Sequence, residues 1–76
     1  MILMENIYPP EIQALDQKYQ KEMTVQNELA LEKAKLNYYK GQLKDTPEDA
    51  DLQRRIKFHE SEVERLEAEV KMAGNL

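Results

Sequence analysis

At 76 residues the chain forms one domain at most, and a core this small ordinarily needs a staple, a metal or a second chain to stabilise it. It has no cysteine, which excludes disulfides and thiolate metal sites, and one histidine, which disfavours an all-protein zinc site. Charged residues make up 34% of the chain, glycine is nearly absent and the net charge is −4. That composition belongs to long helices and disfavours unassisted binding to nucleic acid or anionic membrane.

Residues 1–9 read as an apolar lead-in. Met1-Ile2-Leu3-Met4 is followed at once by Glu5 and Asn6, so it is too short to span a bilayer and lacks the basic start and cleavage site of a secretory signal. A cytoplasmic setting, without membrane, is the expectation. Pro9 and Pro10 then hold Tyr8 and Pro9 out of helical geometry, and Pro10 or Glu11 suits a first helical turn.

From there the spacing predicts one helix over about 10–44. No proline interrupts it, and Gly41 is its one glycine. Leu15, Leu29, Leu36 and Leu43 share a heptad position that Glu22 interrupts. Ile12 and Tyr19 widen the stripe on one flank, Val25 and Tyr39 on the other, as in a helix with more than one neighbour.

The break comes at Lys44-Asp45-Thr46-Pro47-Glu48-Asp49. Thr46 can cap, Pro47 fits a first helical position, and Thr46-x-x-Asp49 approximates a capping box. A second helix is predicted over about 47–73, with Gly74 and Asn75 as its stop. It carries the clearest pattern in the chain: Leu52, Ile56, His59, Val63, Leu66, Val70 and Ala73 alternate at intervals of four and three, a coiled-coil seam.

The expected fold is therefore all-α. Residues 10–76 would form an antiparallel two-helix coiled-coil hairpin, dimerising into a four-helix bundle. Its seam is Leu29, Leu36, Leu43, Leu52, Ile56, His59, Val63, Leu66 and Val70. Leu36 should meet Ile56, Leu29 should meet Val63, and Lys33 should lie beside His59 and Glu60.

Such a hairpin leaves two apolar surfaces uncovered. Ile12, Leu15 and Tyr19 continue past the end of helix two, and Leu31, Ala34, Tyr38 and Phe58 gather on one broad face. These seven residues are the predicted interface. They point to a non-enzymatic protein-interaction module that binds itself and another protein, as an adaptor, assembly factor or inhibitor.

Chemistry finds little support. His59 sits among apolar seam neighbours and reads as a polar core residue. There is no phosphate loop, nucleophile–base pair or metal-ligand spacing, so no catalytic residue, metal or cofactor is expected. One rival remains. Residues 33–57 are net basic between acidic ends, and Lys33, Lys35, Lys40, Lys44, Arg54, Arg55 and Lys57 could grip nucleic acid.

Overall fold

The computed structural model of the chain describes residues 8–74. The expectations for Met1–Met4 and for Asn75 lie outside them. Three helices follow in order: α1, Pro10–Lys21; α2, Val25–Asp45; and α3, Ala50–Gly74. All the regular structure among the described residues is helical, with no strand.

The long helix expected over 10–44 is two helices. Glu22 is extended, at φ −140° and ψ 95°, and its N–H still bonds the Lys18 carbonyl to close α1. Thr24 is extended too, and its hydroxyl accepts the Asn27 N–H at 3.1 Å, capping α2. The Glu22 carbonyl, which a continuous helix would bond to Gln26, instead accepts the Thr24 N–H at 2.8 Å and the Asn27 side-chain amide at 2.8 Å. Thr24 and Asn27 thus offer the backbone a complete alternative to helix at this point. Replacing Thr24 by alanine is expected to cost about 1 kcal/mol of stability. A urea midpoint that falls at unchanged slope is the check.

The second boundary also moves. α3 begins three residues later than the expected residue 47, because the capping side chain is Asp49 and not Thr46. Asp49 Oδ1 accepts the Leu52 N–H at 3.1 Å. Thr46 instead finishes α2: its N–H and its hydroxyl both reach the Gln42 carbonyl at 3.3 Å. Pro47 and Glu48 form the turn between them, closed by the Asp49 N–H on the Thr46 carbonyl at 3.0 Å.

α2 and α3 run antiparallel. Lys33 pairs with Glu67 at 3.3 Å and Lys40 with Glu60 at 3.6 Å, so partners fall along α3 as numbers rise along α2. Leu36, Tyr39, Ile56 and Val63 form the buried core, with Tyr8, Leu29, Tyr38, Leu43 and Leu52 packed on it. The expected pairing of Lys33 with Glu60 is displaced by about two helical turns, to Glu67. Side chains lean toward the N-terminus of their own helix, so on this flank they converge from residues beyond their own level.

α1 packs on α2 alone; among the described residues it has no contact with α3. The result is a flat, elongated molecule of 43 × 29 × 16 Å, with α2 in the middle. Its radius of gyration is 14.0 Å, against about 11 Å for a compact chain of this length.

Candidate interaction surface

The break at residues 22–24 decides which apolar surfaces remain free. By turning back, α1 sets Pro9, Glu11 and Ile12 around a shallow hollow with Ala34, Asn37 and Tyr38 of α2. Ile12 and Leu31 are both 4% exposed, and Leu15, Tyr19, Ala34 and Tyr38 are half-buried. Apart from Phe58, the residues that a straight hairpin would leave bare therefore lie along the contact of α1 with α2.

Phe58 is separated from that group. It stays 60% exposed on α3, touching the His59 ring edge-on at 5.2 Å between centroids. Met72, two heptads further along the same helix, is 70% exposed, and Met23 in the α1–α2 turn is 67% exposed. The side of α3 that carries Phe58 and Met72 is the side turned away from Ile56, Val63 and Leu66.

Beneath Phe58 lies a polar and aromatic cluster that joins the two long helices to the start of the chain. His59 Nδ1 bonds Glu32 Oε1 at 2.6 Å, and the two side chains are 12% and 13% exposed. An ionised carboxylate only accepts, so Nδ1 is the donor. Lys35 reaches the same carboxylate at 3.8 Å. The His59 ring stacks on Tyr39 at 5.4 Å and 20°.

Tyr39 in turn shares a hydroxyl–hydroxyl bond of 2.7 Å with Tyr8. Tyr8 meets the rings of Tyr38 and Tyr39 edge-on at 5.7 and 6.2 Å, and Lys35 Nζ lies 5.5 Å from its ring centre. Among the described residues no buried side-chain polar atom lacks a partner. His59 is thus a hydrogen-bonded residue between α2 and α3, with Glu32 as its partner. No cluster of possible metal ligands occurs among the described residues.

Burial first, and the bond to Tyr39 second, push the Tyr8 phenol well above its ordinary value of about 10, while Arg55 pulls the other way. A phenol raised in the folded state contributes stability that is complete below about pH 10 and is lost as pH climbs past it. Urea unfolding between about pH 8 and 11 should show that loss, and Tyr8→Phe should flatten it. Equal alkaline slopes in the two proteins would remove Tyr8 as the cause.

The basic residues are largely spoken for. Lys33, Lys40 and Lys35 pair with Glu67, Glu60 and Glu32, and Arg54 pairs with Asp51. The Arg55 guanidinium lies 5.9 Å from the Tyr39 ring centre. Lys44 and Lys57 are exposed. On the other flank Arg65 bonds Glu62 at 2.8 Å and Glu69 at 2.5 Å, and approaches Glu28 of α2 at 3.9 Å. Its guanidinium holds the Glu62 carboxyl below the usual range.

Sequence reasoning placed His59 in the seam with Lys33 beside it but did not find Tyr8 or the role of Tyr39. The available signal was Tyr8 just ahead of Pro9-Pro10 and the adjacent pair Tyr38-Tyr39. No described helix is long and apolar enough to cross a membrane. No family model, curated protein or solved structure matches the chain.

Proposed function

We propose that the chain is a non-enzymatic protein-interaction module that self-associates, serving as an adaptor, assembly factor or inhibitor. One observation carries this reading. α3 packs on α2 with one side, and its opposite side displays Phe58 and Met72 two heptads apart, 60% and 70% exposed. Bulky apolar groups repeated along one helix edge suit another helix as partner. The small core of a three-helix layer gives a second copy a stabilising role.

The four-helix bundle expected of two bare hairpins becomes, with α1 included, an assembly of six helices. A cytoplasmic setting fits a chain without cysteine. The nucleic-acid reading is the weaker one, since four of its seven basic residues already hold intrachain carboxylates. A mobility shift with short RNA or DNA at low salt would restore it.

Sedimentation equilibrium at micromolar concentration is the test. The wild type should exceed the mass of one chain, and Phe58→Asp should fall toward one chain with helicity unchanged by circular dichroism. A cooperatively folded wild-type monomer would overturn the proposal.

A further inference from the structure

We infer that the helix lying against this edge is α3 of a second copy, running antiparallel about a two-fold axis between Ser61 and Arg65. The inference rests on the self-association reading above and assigns its partner and direction. Arg54, Phe58, Ser61, Arg65, Ala68 and Met72 recur at alternating intervals of four and three, and all are exposed. That spacing draws a straight stripe down a helix and is the repeat of a packing seam. It is a second seam on α3, on the side away from α2, with only the Arg65 guanidinium reaching back toward Glu28.

The stripe has bulky and small positions in an order that suits antiparallel pairing. With the axis midway between Ser61 and Arg65, Phe58 comes level with Ala68 of the second copy, a large side chain over a small one. Arg54 comes level with Met72, whose thioether can lie along the arginine stem. The axis falls close to the midpoint of Ala50–Gly74, so nearly the whole helix overlaps. Two-fold pairing also lets a single patch serve both chains.

Charge selects the same direction. The first half of the edge and its margins carries Arg54, Arg55 and Lys57 against Asp51. The second half carries Glu62, Glu64 and Glu69 against Arg65 and Lys71. Antiparallel pairing lays the basic half on the acidic half; parallel pairing would stack like on like and set Phe58 on Phe58.

The absence of cysteine makes a direct test possible. Ser61→Cys and Arg65→Cys, both at exposed positions, are prepared separately, checked for helicity, mixed and oxidised, and the disulfide species are weighed by mass spectrometry. The mixed 61–65 species should exceed random mixing. Predominance of the two same-site species means parallel pairing and overturns the inference. If no disulfide species forms while the wild type still sediments above one chain, the edge assignment falls and self-association stands. A wild type that sediments as one chain removes both.

Discussion

Replacing Leu66 by alanine is expected to lower the unfolding free energy by about 2–5 kcal/mol. Leu66 is 0% exposed, the most completely enclosed side chain among the described residues. Truncation removes the transfer free energy of its buried methyl and methylene groups and leaves a cavity that neighbours can only partly fill. For 76 residues the total stability expected is about 4–11 kcal/mol, so this one change removes a large share of it. Urea titration followed by circular dichroism measures the loss. A change under about 0.5 kcal/mol, typical of surface positions, would show that Leu66 is not enclosed as described.

The Glu32–His59 bond should behave in the opposite way when it is removed in two steps. Glu32→Ala leaves the His59 donor in a nearly closed seam without its acceptor, at an expected cost of about 1.5–3 kcal/mol. Glu32→Leu combined with His59→Leu removes donor and acceptor together and fills the space with apolar groups. The double variant should recover most of the loss, or exceed the wild type. Losses that simply add would show that the two side chains do not depend on each other. In that case the bond is no part of what holds α3 on α2.

The α2·α3 pair was largely legible in the chain. The regular alternation from Leu52 to Val70 marked α3 and its buried side, and Ile56, Val63 and Leu66 are buried. The break at Glu22 was visible as a charge in the leucine row, yet a lone glutamate does not stop a helix. What stops it is the cooperation of Thr24 with Asn27, and Thr24 lacks the glutamate or glutamine three residues on that makes a cap conspicuous. The excess of apolar residues on Ile12–Tyr19 and Leu31–Tyr38 was also visible. Whether that excess meets a second chain or meets itself depends on a three-residue turn, which periodicity does not register. The Tyr8–Tyr39 bond joins residues 31 apart across an extended segment and two helices. No spacing rule reports such a contact.

The placement of α1 has a consequence for how the molecule opens. With α2 as its one neighbouring helix, α1 can detach while α2 stays on α3, and Tyr8, packed on the α2–α3 core, is the clasp at its start. Such a step exposes only one interface, so its free energy is a fraction of the global value. Amide hydrogens of α1 should then exchange in a separate, faster class than those of α2 and α3.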